Sequence, residues 1–256
     1  MGKAQHILGV DVGGSGIKGG IVDVKTGELI TERHRIDTPK PATPKAVAKT
    51  FKQLVDHFNY KGPIGVGFPA IVRRGTALSA ANISKAWVGT SIVDAFGKIT
   101  GQPVFALNDA DAAGFAAMQF GAGKEYHDKV VLMLTLGTGI GSGLFVEGEL
   151  VPNTELGHVY LKNHKVVAEK FVSNYQRKAN GWPWPKFGKR LNSYLQHVDM
   201  LFSPDLILIG GGASKNFVRF APYLELETEV RPADLGNNAG TIGAAYYAYR
   251  RSTTIS

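Results

Sequence analysis

A chain of 256 residues that is 44% hydrophobic and 20% charged, with no cysteine, has the composition of a globular protein with one large core or two modest ones. The missing cysteines exclude a disulfide scaffold, thiolate metal sites and a cysteine nucleophile, and nothing suggests an oxidising compartment, so a cytoplasmic location is expected. A formal charge of +8 calls for a polyanionic partner or a solvated basic surface; with no zinc-finger spacing, RNP-like aromatic signature or helix-turn-helix, nucleic acid is not the expected polyanion.

The first ten residues hold too short an apolar run for a secretory signal, and His6 stands where a myristoylation signal wants Ser or Thr. Aliphatic and β-branched residues predict strands over 7–12, 20–24 and 29–35. Between the first two lies GVDVGGSGIKGG, with six glycines, Asp11 and Lys18. Bare, it is a hairpin turn; flanked by a strand-end Asp and a Lys, it also suits a phosphate, because glycines let several backbone N–H groups converge on one guest.

A helix is predicted over 43–58, with Thr43 as N-cap, Pro44 in first helical position, and Val47, Phe51, Leu54, Val55 and Phe58 on one face. A strand over 64–69, a loop containing AANISKAW, a short helix over 91–99 and a strand over 104–108 complete a first α/β domain, 1–108. From Asp109 the pattern restarts with a helix over 109–120, a strand over 130–136, a glycine loop and a strand over 142–148. The uncharged run 130–146 is no membrane span, because Gly137, Gly139, Gly141 and Gly143, with Thr135, Thr138 and Ser142, make a poor helix. Helical stretches follow over 168–177 and 185–202, then a strand over 206–210. The second domain is thus 109–237, and an apolar helix at about 238–251 is expected to pack back on the first. A glycine hairpin opening each half points to internal duplication.

The loop TLGTGIGSG matches a dinucleotide fingerprint only loosely and leads into a strand rather than a helix, and no glycine loop is followed by the Lys-Ser/Thr of a P-loop. Two strand-loop-strand phosphate hairpins remain. In LNDADAAG, Asp109 falls where a strand gives way to a helix; it is either a helix cap or a carboxylate placed to accept a proton from an attacking hydroxyl. Glu155 and His158 of ELGH, with Asn82, Asn108 and Glu169, form a hydrogen-bonding set suited to a polyol. ILIGGGAS delivers three glycines to a helix predicted to start at Ser214, either a plain strand-to-helix turn or a close backbone approach to a phosphate chain. Lys162, Lys165, Lys170, Arg177, Lys178, Lys186, Lys189 and Arg190 crowd one stretch, as a solvated face or a polyanion track.

DVGGSGIKGG, NDADAAG, TLGTGIGSG, ELGH and LIGGGAS, in that order and over nearly the whole chain, resemble the ROK family of sugar kinases and regulators. SAANISKAW and VPNTELGH resemble its polyphosphate-using kinases. The resemblance implies an α/β chain with the actin-like ATPase (ribonuclease H-like) fold, two α/β domains around a central cleft, and a homodimer. It implies phosphoryl transfer from inorganic polyphosphate, and ATP, to the 6-hydroxyl of glucose, with mannose as a further acceptor left open. Asp109 would be the catalytic base, and Asn82, Asn108, Glu155, His158 and Glu169 would hold the sugar. Asp11 would place Mg²⁺ directly or through water. Gly13, Gly14, Ser15, Gly16 and Lys18 would face donor phosphates, as would Thr135, Gly137, Thr138, Gly139, Gly141, Gly211, Gly212 and Lys215. Many family members carry a zinc site of one His and several Cys after the E-x-G-H motif; this chain has HKVVAEKFVS there, and zinc is not expected. The family's repressors carry a winged-helix segment ahead of the first glycine motif, where eight residues precede Gly9 here, so a kinase is expected rather than a DNA-binding regulator. A strictly ATP-dependent hexokinase is the remaining alternative.

Overall fold

A computed structural model of the chain describes residues 5–254; residues 1–4, on which part of the expectation of no targeting segment rests, lie outside them. The chain forms two compact units, the first running to Ala116 and resuming at Asn238, the second spanning Ala117–Asn237.

In the first unit β1 (His6–Val12) turns back antiparallel into β2 (Gly16–Asp23), which pairs with β3 (His34–Asp37). β2 starts four residues earlier than its sequence suggested, because Ile17 to Gly20 pair in register with β1 and Gly16 with Asp37 of β3, despite the poor strand propensity of the glycines. Lys18 therefore lies inside the strand, opposite Asp11, rather than beyond the turn. β3 starts late: of the predicted 29–35 strand, Leu29 makes only an isolated bridge to Val22.

Helix α1 (Pro44–His57) begins as expected, with the Thr43 side chain accepting the Ala46 N–H, and buries Val47, Phe51, Leu54 and Val55. The fully buried β4 (Ile64–Phe68) follows, then the small hairpin of β5 (Val72–Arg73) and β6 (Thr76–Ala77). Helix α2 (Ile92–Thr100) is capped by Ser91 and ended by Gly101 at φ 69°. β7 (Val104–Asn108) leads directly into α3 (Asp109–Phe120). The sheet order is β3-β2-β1-β4-β7, with β1, β4 and β7 parallel. Phe51, Phe96, Phe68 and Trp87 fill the core beneath it, the first two stacked with centroids 4.1 Å apart.

The second unit repeats this plan. β8 (Val130–Leu136), β9 (Ile140–Val146) and β10 (Glu149–Val151) form an antiparallel meander. Helices α4 (Ala168–Phe171), α5 (Asn174–Ala179) and α6 (Trp184–Phe202) precede β11 (Leu206–Gly210), α7 (Gly211–Ser214), α8 (Phe217–Phe220) and β12 (Glu229–Pro232). The order is β10-β9-β8-β11-β12, with β8, β11 and β12 parallel. The predicted helix over 168–177 is two pieces, because Val172 is extended and the Ser173 side chain accepts the Gln176 N–H to start a new helix. Pro183 and Pro185 are accommodated by lying at the start of α6, where the missing N–H groups have no intrahelical role. The turn of helix expected at Ser214 begins at Gly211, straight off the strand.

The final helix, α9 (Ala239–Thr254), packs across β1, β4 and β7 of the first unit. A Cβ at Gly9 would fall on the carbonyl oxygen of Thr241, and one at Gly65 on that of Ala244. On the helix itself, a Cβ at Gly243 would fall on the carbonyl of Ala112. Backbone-to-backbone contact here admits glycine alone, and the same contact ties Ala112, in the first turns of α3, to the first unit. The division expected at 108/109 thus falls instead at Ala116, inside α3. Two units of identical strand order and direction are the duplicated plan of the actin-like ATPase fold. Among the described residues no helix is long and apolar enough to cross a membrane.

Candidate active site

In the first unit the turn between β1 and β2 is closed by Gly13, whose N–H donates to the Gly16 carbonyl at 3.0 Å. None of Gly13, Gly14 and Gly16 has positive φ, so the turn needs glycine for close approach rather than for a left-handed backbone. A Cβ at Gly14 would lie 2.7 Å from the Asn82 carbonyl oxygen, and one at Gly16 would lie 2.6 Å from Nε of Arg35. Arg35 donates to the Ser15 carbonyl at 2.9 Å, and the Thr38 hydroxyl to that of Gly13 at 2.5 Å. The hairpin is therefore held by its carbonyls, with Gly14 and Ser15 exposed at the tip. Sequence reading passed over Arg35 and Thr38; the pairing of Gly16 with Asp37 is what brings them there. Asn82, itself exposed, reaches the hairpin through its backbone.

Asp11 and Lys18 face each other across β1 and β2, Nζ to Oδ2 at 3.5 Å, with side chains 21% and 29% exposed. Burial lifts the Asp11 carboxyl above the ordinary carboxylate range, against the opposing pull of Lys18 and Arg33. A single hard, partly solvated carboxylate beside a glycine turn fits Mg²⁺ held largely through water. Among the described residues no group of three or more His, Asp or Glu is placed to enclose an ion by itself.

At the head of α3, the buried Asn108 side chain accepts the N–H groups of Ala110 at 2.8 Å and Asp111 at 3.2 Å and donates to the Ala70 carbonyl at 3.0 Å. Asn108, not Asp109, is thus the helix cap, and most of its hydrogen-bonding capacity is spent on that junction. The half-buried Asp109 accepts the Ala110 N–H at 2.8 Å and lies in the first turn, where the helix dipole favours negative charge.

In the second unit the turn between β8 and β9 is closed by the Gly137 N–H donating to the Gly139 carbonyl at 3.0 Å, leaving Thr138 exposed. The other glycine run lies beside it: a Cβ at Gly211, at φ 73°, would be 2.8 Å from the Leu136 nitrogen, and one at Gly212 would be 2.9 Å from Nδ2 of Asn174. Thr135 is flanked in register by Gly141 and Gly210, and Lys215 is exposed just after α7.

Next to this hairpin, Glu155 Oε2 and His158 Nδ1 are 3.2 Å apart. The Ser142 hydroxyl, not foreseen from sequence, accepts the Leu156 N–H at 3.0 Å and donates to the Thr154 carbonyl, fixing the segment. Gly157 presses on the Ile140 carbonyl, which accounts for the glycine in ELGH. Glu169, on α4, lies against Gly139 and is ion-paired with Lys170 at 3.6 Å. Burial raises the Glu155 carboxyl above its ordinary range and the neighbouring Glu169 adds to this, while His158 opposes it. The structure thus brings Glu155 together with His158 and within electrostatic reach of Glu169, which lies against Gly139, and places Asn82, Asn108 and Asp109 in the first unit.

The ROK family model matches residues 7–173, and the chain belongs to the ROK family. It is 47% identical over 242 residues to a polyphosphate glucokinase of Mycobacterium tuberculosis (strain CDC 1551 / Oshkosh), covering 94% of this chain and 90% of that one. To the polyphosphate glucokinase of Mycobacterium leprae (strain TN) it is 41% identical over 239 residues, covering 93% and 73%. The crystal structure of inorganic polyphosphate/ATP-glucomannokinase from Arthrobacter sp. strain KM matches with a TM-score of 0.90 at 43% identity, covering 97% of this chain and all of that one.

Proposed function

We propose that the protein transfers the terminal phosphoryl group of inorganic polyphosphate, and of ATP, to the 6-hydroxyl of glucose. The observation that carries this reading is the β7–α3 junction, where Asn108 caps the helix and Asp109 is held in its first turn, in a chain similar throughout to polyphosphate glucokinases. Asp109 takes the hydroxyl proton as the oxygen attacks phosphorus; the new O–P bond replaces the bridging O–P bond, and the donor leaves one phosphate shorter.

The remaining roles are assigned unit by unit. In the second unit, His158 turns Nδ1 to Glu155, which leaves Nε2 for a sugar hydroxyl, while the carboxylates of Glu155 and Glu169 accept from others. In the first, Asn82 and the remaining N–H of Asn108 are assigned to sugar hydroxyls. The amides of the hairpins at Gly13–Gly16 and Gly137–Gly141, with Lys18, Thr135, Thr138, Gly211, Gly212 and Lys215, serve donor oxygens. Bound at Asp11, directly or through water, Mg²⁺ supplies neutralisation of donor charge. Mannose is a second candidate acceptor, and a cytoplasmic homodimer the expected form.

The test is a matrix of donors and sugars with product identification. Glucose 6-phosphate formed from polyphosphate and glucose is the expected result. Turnover with ATP alone would replace this reading by that of an ATP-dependent hexokinase.

A further inference from the structure

Beside the second glycine hairpin the chain carries cations that no carboxylate neutralises. From Lys170 to Val198 the sequence holds no Asp or Glu. Among the described residues, none of Arg177, Lys186, Arg190 and Arg219 is in an ion pair. Aromatic rings hold them instead. The Arg177 guanidinium lies 4.0 Å from the Trp184 ring centre, and Arg219 5.5 Å from the same ring. Arg190 lies 4.4 Å from the Trp182 ring and 3.9 Å from that of Phe171, with Nε donating to the Phe171 carbonyl at 3.0 Å. Lys186 is 5.6 Å from Trp182. Bracing of this kind fixes a cation without cancelling its charge, and it leaves guanidinium N–H groups for an anion.

The group is joined to the hairpin by consecutive contacts. The Tyr175 N–H donates to the Gly137 carbonyl at 3.0 Å, and its neighbour Asn174 abuts Gly212. Asn174 Oδ1 accepts from Nε of Arg177 at 3.5 Å, and Arg177 donates onward to the Trp182 carbonyl at 3.4 Å. A linear polyanion with its end at the glycine loops would meet these cations in turn.

We propose that Arg177, Lys186, Arg190 and Arg219, braced by Trp182 and Trp184, form a track for the part of the inorganic polyphosphate chain beyond the phosphates at the glycine loops. This rests on the reading of the protein as a polyphosphate-using kinase. ATP ends too soon to occupy more than the start of the track. Of the basic residues clustered in the sequence, the fold thereby selects the ring-braced ones, and adds Arg219 from outside the cluster.

The test compares the parent with Lys186→Gln/Arg190→Gln/Arg219→Gln, and with Lys186→Gln/Arg219→Gln, which changes exposed side chains alone and spares the Arg190 contact with Phe171. KM is measured for long-chain polyphosphate, tripolyphosphate and ATP across a salt series. Binding of long-chain polyphosphate without glucose is followed by tryptophan fluorescence; Trp87, the third tryptophan, is buried in the first unit. In the triple variant, KM for long chains should rise at least about tenfold and its logarithmic salt slope should flatten by about two, the scale for three lost phosphate contacts. The double variant should show a smaller shift in the same direction, with ATP and tripolyphosphate constants within about twofold of the parent.

Equal shifts for long chains and ATP, an unchanged long-chain KM in both variants, or equally tight binding of a single-stranded RNA of matched charge would overturn the track. If the parent binds long polyphosphate with a fluorescence change that the variants lose, yet transfers no phosphate from it, the track stands and the functional reading fails.

Discussion

Asn108 caps helix α3 in place of its neighbour Asp109, taking the N–H groups of Ala110 and Asp111 on one oxygen and tying its own amide to the Ala70 carbonyl. A single side chain thus fixes both the strand end and the helix start, and Asp109 inherits its position from that cap. Under the proposed function, Asn108 carries the structural duty at this junction and Asp109 the proton transfer.

That division is separable by mutation. Asp109→Asn should lower kcat at least about a hundredfold, the usual scale for a general base, with glucose binding changed little and melting unchanged. Asn108→Ala should instead lower the melting temperature by a few degrees, about 1 kcal/mol for a lost cap, as well as slowing turnover. A stable, well-capped Asp109→Asn protein with near-normal kcat would remove Asp109 from the chemistry.

For Glu155 the prediction concerns pH. Burial raises its carboxyl above the ordinary range, so the folded protein holds this proton more tightly than the unfolded chain does. Its contribution to stability is complete below the ordinary carboxylate value and is lost as pH rises through the raised one. Glu155→Gln should therefore gain melting temperature over the parent as pH goes from mildly acidic to neutral, while KM for glucose rises at least about tenfold through loss of a charged acceptor. A melting offset independent of pH would show that the carboxylate carries no burial cost.

The same sign applies to Asp11, raised chiefly by burial. Asp11→Asn should melt no lower than the parent near neutral pH, yet need at least about tenfold more Mg²⁺ for half-maximal rate. Removing Mg²⁺ should abolish turnover, and a zinc-selective chelator should leave it intact. An unaltered Mg²⁺ requirement in the variant would move the metal away from Asp11.

Glycines in the two settings should respond oppositely. Gly65→Ala drives a methyl into the Ala244 carbonyl of α9, and thermal denaturation should show a loss of about 3 kcal/mol or more, because neither backbone can yield. Gly137→Ala meets nothing within 4 Å and should change stability by no more than about 0.5 kcal/mol while raising the donor KM. Equal destabilisation at both positions would contradict the distinction.

Much of this protein is written locally. Thr43 and Pro44 start α1 as read, the strands at 64–68, 104–108, 130–136 and 206–210 stand out as largely apolar runs, and the glycine motifs mark both hairpins, because caps, periodicity and turns depend on residues within a few positions of one another. What the glycines are for was settled elsewhere. Gly9 and Gly65 are required by a helix that arrives from residues 239–254, Gly14 by the backbone of Asn82, and Gly157 by a strand carbonyl. Arg35 and Thr38 reach the first hairpin only through strand pairing, and Ser142 sets Glu155 from the neighbouring strand. The cations at 177, 186 and 190 look like any solvated run until rings pick them out and Arg219 joins them. Such contacts join residues far apart in the chain, and their geometry is fixed by the packing of whole elements, so local pattern carries no trace of them.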